Sequence, residues 1–202
     1  MTKRNAPILA TAAFAILLPA CSASVGVDDD SAGQDATAST DAKSSYAENG
    51  VALDYPSDWE ALDQAGATTS TGGNELWTQG FGPDASGSNV VIVSAYQLKL
   101  DVGDVPPEQL KTEIDATLDQ LTQQAGGTRV GELEDASLGS LTGFQATINA
   151  ESAEGVPVQS RVVFGFDRDT EYFLNCQYEP SAKTQILGGC DTMQQTFAVS
   201  AE

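Results

Sequence analysis

Four consecutive strand patterns in the second half of this 202-residue chain constrain its fold more than any other feature. They cover residues 129–136, 141–150, 156–166 and 172–178, and turn-like segments such as Asp167-Arg168-Asp169-Thr170 join them. Strands joined by tight turns pair antiparallel, because a parallel pair needs a crossover of about a dozen residues or more. The second half of the chain therefore predicts an antiparallel sheet.

Three earlier segments, 51–55, 75–81 and 89–98, also have strand patterns. The last contains Val90-Val91-Ile92-Val93, which is apolar on both faces, as is typical of a central strand covered on both sides. Pro56-Ser57-Asp58 has the composition of a turn after the first strand. Trp59 is therefore predicted to fold back onto the core or its rim.

Two segments have the period of an amphipathic helix. Pro106 and Pro107 suit the first turn of one helix, and Gly126-Gly127 suits its end. Its apolar stripe consists of Leu110, Ile114, Leu118 and Leu121. The second region covers 181–199, with a stripe of Ile186, Cys190, Met193 and Phe197. Gly188-Gly189 costs this region about 1 kcal/mol per glycine, so it is expected either as one helix or as two short pieces.

Residues 1–20 have the pattern of an export signal. Lys3 and Arg4 precede an apolar run of about 13 residues, which is too short for a comfortable membrane span of about 20. Leu18-Pro19-Ala20-Cys21 resembles a bacterial lipobox, with Cys21 as the lipidated first residue of the mature protein. Two acyl chains give a stable anchor at about 0.8 kcal/mol per buried CH₂. The expected location is the extracytoplasmic face of the cell membrane; the alternative is plain secretion after cleavage near Ala20-Cys21-Ser22-Ala23.

Residues 21–45 are expected to form a disordered acidic tether, since small and polar residues cannot bury enough apolar surface to offset the ordering entropy. The globular domain is then 46–202. Asp28-Asp29-Asp30 lacks the spacing and distal Glu of a calcium loop, so we expect no metal there. The net charge of −20 becomes −22 without Lys3 and Arg4. Such a surface repels nucleic acid, so we expect no nucleic-acid partner. The expected partners are the membrane, through the lipid on Cys21, and an envelope protein, lipid or glycan of unknown identity.

The sequence offers no catalytic or cofactor-binding constellation. It has no histidine, which removes the usual serine triad and the commonest metal ligand. No lysine has a serine three residues before it, and no phosphate-binding G-x-x-x-x-G-K-[ST] loop is present. Among the many carboxylates, no pair can be singled out for hydrolysis of a glycoside. We therefore expect a protein that is not an enzyme and holds no cofactor or metal.

Cys176 and Cys190 remain once Cys21 is assigned to lipid. Export would place them in a compartment where disulfides form. Cys176 lies on the predicted strand 172–178, and Cys190 lies on the apolar stripe of the following helix. A disulfide between them would attach that helix to the sheet. The alternative is redox chemistry, which typically uses a C-x-x-C motif that this chain lacks.

Four short segments resemble a known family. They are Val51-Ala52-Leu53-Asp54-Tyr55-Pro56-Ser57-Asp58-Trp59, Ser137-Leu138-Gly139-Ser140-Leu141-Thr142-Gly143-Phe144, the hairpin at 167–172, and the pair Cys176 and Cys190. Their order over about residues 46–199 resembles the PsbP-like fold, in particular the LpqN/LpqT-type envelope lipoproteins of actinobacteria. The resemblance implies an α+β protein, an α-β-α sandwich in which helices flank an antiparallel sheet. It brings no established catalytic residues, and family members are linked to partner binding or lipid handling in the envelope.

Two function classes fit these features. The first is a lipid-anchored, non-catalytic binding module that holds an envelope partner near the membrane. The second is a carrier of a lipid or other small apolar ligand in a cavity between helix and sheet. Small residues at inner strand positions would mark such a cavity, and Gly143, Ala146 and Gly165 are candidates. Glycine in a strand more often marks a bulge or close packing, and the ligand-binding residues stay unknown.

Overall fold

The computed structural model describes residues 42–62, 74–84, 88–124, 126–151 and 155–200. Its strands are β1 (Lys43–Glu48), β2 (Val51–Pro56), β3 (Glu60–Leu62), β4 (Glu75–Gly82), β5 (Val90–Gln97), β6 (Thr128–Leu138), β7 (Leu141–Glu151), β8 (Pro157–Asp167), β9 (Thr170–Tyr178) and β10 (Ala198–Val199). Its helices are α1 (Pro107–Gln124), between β5 and β6, and α2 (Lys183–Thr196), between β9 and β10. Short 3-10 turns at Val102–Asp104 and Pro180–Ala182 precede the two helices.

Seven strands form one large sheet in the order β3-β4-β5-β9-β8-β7-β6. Every neighbouring pair in this sheet is antiparallel. Strands β6, β7, β8 and β9 follow one another in the chain and lie side by side in the sheet, as the sequence predicts. A second, small sheet has the order β1-β2-β10. The predicted antiparallel sheet is confirmed.

Helix α1 covers one face of the large sheet. Leu110, Ile114 and Leu118 recur every four residues, which places them on one side of the helix. They are buried in a cluster with strand residues that include Phe144, Ala146, Ile148, Val162, Phe164 and Phe173. The predicted stripe is confirmed for these three residues, and the side chain of Leu121 lies outside the described part of the chain.

Helix α2 and the small sheet cover the other face over β5 and β9. The apolar side of α2, formed by Ile186, Cys190 and Met193, is fully buried. It packs in one cluster with residues of β2, β5 and β9 that include Val51, Leu53, Val91, Val93, Leu174 and Cys176. Helices therefore lie on both faces of the sheet, and the predicted α-β-α sandwich is confirmed.

Helix α2 is shorter than the predicted region 181–199, and it is the single helix of the two predicted alternatives. It runs unbroken through Gly188-Gly189 and ends at Thr196, so the alternative of two short pieces is wrong. The Phe197 N–H donates to the Met193 carbonyl, which closes the last turn. The next residues, Ala198–Val199, leave the helix because they pair with Ala52 and Val51 of β2.

Strands β1 and β3 have no counterpart among the predicted strands. β1 begins at Lys43, inside the segment 21–45 that was predicted as tether. Tyr46 stands opposite Leu53 of β2, and its ring packs edge-on against Phe81 with the ring centroids 5.4 Å apart. Residues 43–45 themselves pair with residues 54–56 of β2, so they belong to a strand, and for them the tether prediction is wrong. Residues 1–41, which include the predicted signal peptide 1–20 and Cys21, lie outside the described residues.

Candidate functional site

Two rows of side chains lie on the α2 side of the sheet, over β6, β7 and β8. Residues directly opposite one another on paired strands share a face of the sheet. One row is Val130, Thr147 and Arg161, and it continues to Cys176, which is bonded to α2. The neighbouring row is Thr128, Asn149 and Gln159, and it continues to Tyr178. We call the first three residues of each row, six in all, the open face.

The open face is accessible because α2 packs over β5 and β9. Val130 is 46% exposed, a high value for a large apolar residue in a strand. Thr147, Asn149, Gln159 and Arg161 are half-buried. The Arg161 Nη2 donates to Asp191 Oδ1 at 2.5 Å, and this ion pair marks the boundary with α2. The open face therefore presents hydroxyl, amide and guanidinium groups to solvent.

An open cleft of about 680 Å³ adjoins the row that contains Asn149 and Gln159, and we call it the end cleft. Its lining consists of Gly126, Gly127, Thr128, Asn149, Ala150, Glu151, Pro157, Val158, Gln159, Pro180 and Lys183. This volume falls within the range of about 300–1,000 Å³ that is typical of small-molecule sites. The end cleft is large enough for a ligand and continuous with the open face.

A hydrogen-bond relay crosses the wall of the end cleft. The Tyr178 hydroxyl donates to Gln159 Oε1 at 3.1 Å, and Gln159 Nε2 donates to Asn149 Oδ1 at 2.7 Å. Burial raises the pKa of Tyr178, and the Arg161 charge offsets part of that rise. The phenol therefore stays protonated and remains a donor. In this arrangement the relay runs from Tyr178 through Gln159 to Asn149, and Asn149 Nδ2 is its terminal donor.

Two positively charged side chains, those of Lys183 and Arg161, lie beside this relay. Lys183 lines the end cleft at the first turn of α2, is exposed, and takes part in none of the ion pairs found among the described residues. Arg161 is held by Asp191, but its buried Nε atom has no hydrogen-bond partner. The relay and the cations give this end of the open face an excess of donors.

A buried carboxyl with a raised pKa, that of Glu171, lies on the α1 side of the sheet. Glu171 in β9 stands between Phe166 of β8 and Tyr96 of β5, and is only 3% exposed. Burial raises the pKa of Glu171 to about 8 and is also the main reason why the pKa of Tyr96 rises to about 12. The Glu171 Oε1 atom has no hydrogen-bond partner. Because solvent barely reaches it, Glu171 is a neutral acid of the core rather than a residue of the open face.

A second cavity, of about 500 Å³, lies between α1 and β6. Four of the charged residues that line it, Lys111, Asp115, Asp119 and Arg129, take part in ion pairs. Arg129 Nη1 lies 2.7 Å from Asp115 Oδ1 and 2.8 Å from Asp119 Oδ1, and Lys111 Nζ lies 2.8 Å from Asp135 Oδ1. These ion pairs join α1 to β6, so we interpret them as contacts that position the helix.

The residues singled out from sequence have different outcomes. Cys176 and Cys190 form a disulfide with their Cα atoms 6.0 Å apart, and it attaches α2 to the central strand β9. Gly143 and Gly165 mark close packing rather than a cavity. A Cβ atom on Gly143 would lie 1.7 Å from the Phe164 carbonyl oxygen, and one on Gly165 would lie 2.9 Å from Leu138 Cβ. Ala146 is buried against the α1 cluster.

The open face was not predicted from the sequence. In β7 and β8, polar residues such as Thr147, Asn149 and Gln159 occupy alternate positions, and mostly apolar residues lie between them. This alternation was the available signal in the sequence. Alternation of this kind predicts that one face of the strands meets solvent. It does not identify which strands a distant helix covers.

Within the described ranges, no three Cys, Asp or Glu side chains are grouped so that they could hold a metal ion. Of the helices in those same ranges, none is both long enough and apolar enough to span a membrane.

No protein-family model matches this sequence, and no curated protein matches it. Solved structures do resemble its fold. Cyanobacterial PsbP from Synechocystis sp. PCC 6803 superposes on this chain with a TM-score of 0.54 and 12% sequence identity. The match covers 83% of this chain and 98% of the PsbP chain. LpqN, involved in cell envelope biogenesis of Mycobacterium tuberculosis, superposes with a TM-score of 0.49 and 15% sequence identity. The match covers 79% of this chain and 91% of the LpqN chain.

A protein of Bacteroides thetaiotaomicron has a TM-score of 0.48 and 13% identity over 76% of this chain. This chain spans only 46% of the length of that protein. At identities this low the comparisons bear on fold alone. The similarity to cyanobacterial PsbP establishes a PsbP-like fold, as the sequence resemblance implied.

Proposed function

We propose that this chain is a lipid-anchored, non-catalytic binding module of the cell envelope that holds its partner on the open face. One observation carries the proposal. Both faces of the sheet are buried over β5 and β9, whereas the six residues of the open face stay accessible on the α2 side. Amide, hydroxyl and guanidinium groups on an accessible sheet suit the mixture of apolar contact and hydrogen bonding found in protein interfaces.

The proposed anchor is lipid on Cys21. With the dimensions of an unstructured chain, the roughly 21 residues between Cys21 and Lys43 would span about 25 Å. That reach would keep the domain near the membrane while leaving it free to rotate. The net charge of −20, which becomes −22 without Lys3 and Arg4, opposes adsorption to anionic lipid headgroups, so the lipid would hold the domain at the membrane without help from its surface charge.

The carrier alternative has less support from the packing. It requires an apolar cavity between a helix and the sheet, and small residues on inner strand positions would open one. At Gly143 and Gly165 that space is filled by the Phe164 carbonyl and by Leu138. The end cleft lies at the margin of the sheet and has a mixed polar and apolar lining, which suits a lipid tail poorly.

Native mass spectrometry of the protein, extracted in neutral detergent from its own membrane, tests the proposal. A binding module retains a polypeptide, whereas a carrier retains a lipid. The informative variant is Val130→Arg, which places a long charged side chain on the open face at an exposed position. Gln120→Arg is the matched control, because Gln120 is exposed on α1 at the opposite side of the sheet.

The proposal predicts a retained polypeptide that Val130→Arg removes and Gln120→Arg leaves in place. A retained lipid with no polypeptide would support the carrier instead. A polypeptide retained equally by both variants would show that the partner does not use the open face.

A further inference from the structure

The relay in the wall of the end cleft has a chemical direction. Tyr178 donates to Gln159, and Gln159 donates to Asn149 Oδ1, so this oxygen already accepts one hydrogen bond from within the protein. The amide group that remains, Asn149 Nδ2, carries two N–H bonds and no acceptor. A side chain held in this orientation favours a ligand group that is rich in acceptor oxygens.

Lys183 adds a charge to the same cleft. In a chain of net charge −20, an anion meets repulsion over most of the surface. Lys111, Arg129, Arg161 and Arg168 each have an aspartate partner, whereas Lys183 lines the cleft outside those ion pairs. A cation that is not neutralised by a neighbouring carboxylate can give a charge-assisted hydrogen bond to a ligand.

From this arrangement we infer that the end cleft binds an oxyanion, a phosphate or carboxylate group, with Asn149 Nδ2 and Lys183 Nζ as its donors. The inference deepens the proposed function and rests on it for one step only, which is that the anion belongs to the envelope partner. The cleft, at about 680 Å³, has room for a larger molecule that carries the anionic group. Glu151 also lines the cleft and is exposed, so its carboxylate opposes the anion.

Titration of the ¹⁵N-labelled full-length protein in neutral detergent micelles tests this inference. The probes are inorganic phosphate and acetate at constant ionic strength, with sodium chloride as the reference anion. The readout is the side-chain amide resonance of Asn149. We expect a saturable shift with phosphate, with acetate or with both, and none with chloride. A response to phosphate alone assigns a phosphate-bearing ligand, and a response to acetate alone assigns a carboxylate.

Three substitutions make the test specific. Lys183→Gln should weaken binding about tenfold, as expected for loss of one charge-assisted hydrogen bond. Lys99→Gln, at an exposed lysine that does not line the cleft, should leave it unchanged. Glu151→Gln should tighten binding because it removes a repulsive charge. Asn149→Asp keeps the shape and still accepts from Gln159, but replaces the donor by an acceptor and should abolish binding; for that variant the shift is followed on backbone amides of the cleft.

The inference is overturned if neither anion gives a saturable shift, or if the shift survives both Lys183→Gln and Asn149→Asp. Failure of the proposed function is distinguishable. If Val130→Arg fails to release any partner while phosphate or acetate still binds in a Lys183-dependent manner, the open-face proposal fails and the oxyanion site stands.

Discussion

The indole ring of Trp59 lies directly against the backbone of Gly189. A methyl group built on Gly189 would lie 2.2 Å from Trp59 Cη2, closer than any real contact allows. Trp59 follows the turn after β2 and is only 4% exposed, so the glycine lets α2 approach the first strands of the domain. Gly189 is therefore needed for this packing, and the helix continues unbroken through both glycines.

This contact predicts opposite effects for two neighbouring substitutions. Gly189→Ala should lower the free energy of unfolding by about 1–3 kcal/mol, because the new methyl group overpacks against Trp59. Gly188→Ala should raise it by about 1 kcal/mol, since a Cβ at that exposed position meets nothing within 4 Å and alanine favours the helix. Urea unfolding of both variants measures the difference. Equal stabilisation by the two alanines would show that Trp59 does not occupy this space.

The disulfide between Cys176 and Cys190 is predicted to stabilise the native state. It closes a loop with a sequence separation of 14. In the chain-entropy model, a loop of about 15 residues gives around 3 kcal/mol, so replacing both cysteines by Ala should cost about 2–4 kcal/mol. Thiol counting on the denatured, unreduced Cys21→Ser protein, made in an oxidising compartment, should find no free thiol. Two free thiols would contradict the pairing, and reduction of the native protein should make α2 sensitive to protease first.

Glu171 predicts that stability falls as the pH rises. Its pKa is about 8 in the folded protein, above the ordinary value near 4.5, so the folded state holds a proton that the unfolded state has lost. The contribution is fully present below about pH 4.5 and is lost as the pH rises through about 8. Linkage gives a slope on the order of 1 kcal/mol per pH unit between pH 6 and 8.

This slope can be isolated because the chain has no histidine, the residue that ordinarily titrates in that range. Glu171→Gln should flatten the profile of unfolding free energy against pH. Urea unfolding at pH 6, 7, 8 and 9 measures it. A wild-type profile that is already flat, or a slope that persists in Glu171→Gln, would contradict the assignment.

Anchoring through Cys21 is tested by Cys21→Ser. The substitution removes the thiol that carries the lipid, so the protein should appear in the medium or accumulate as unprocessed precursor. Fractionation and the mass of the N-terminal peptide measure this outcome. Normal processing with firm membrane association would show that the lipobox interpretation is wrong.

Much of the fold could be predicted because it depends on local periodicity. Burial can be predicted from a few neighbouring residues in the apolar sequences of β5 and β9 and in the stripe of Leu110, Ile114 and Leu118. The ends of elements that were predicted wrongly, such as the end of α2, depend instead on contacts with residues far away in the sequence. The backbone N–H of Asp54 donates to Thr196 Oγ1 across 142 residues, and this contact helps to place the end of α2 beside β2. No local pattern contains that information.

The open face could not be predicted for a related reason. Its side chains are polar at alternate positions, but their exposure depends on where α2 lies. That position follows from the disulfide at Cys190 and from the Trp59–Gly189 contact, which hold the helix over β5 and β9. A helix placed over β7 would have buried Thr147 and Gln159.

Site-specific photo-crosslinking in the living cell tests the central claim most directly. A photoactivatable phenylalanine analogue at position 147 lies in the middle of the open face, and the same residue at position 120, on exposed α1, is the control. The binding-module account predicts a discrete covalent adduct with one envelope protein from position 147 and none from position 120. No adduct from position 147, or the same adducts from both positions, would contradict it.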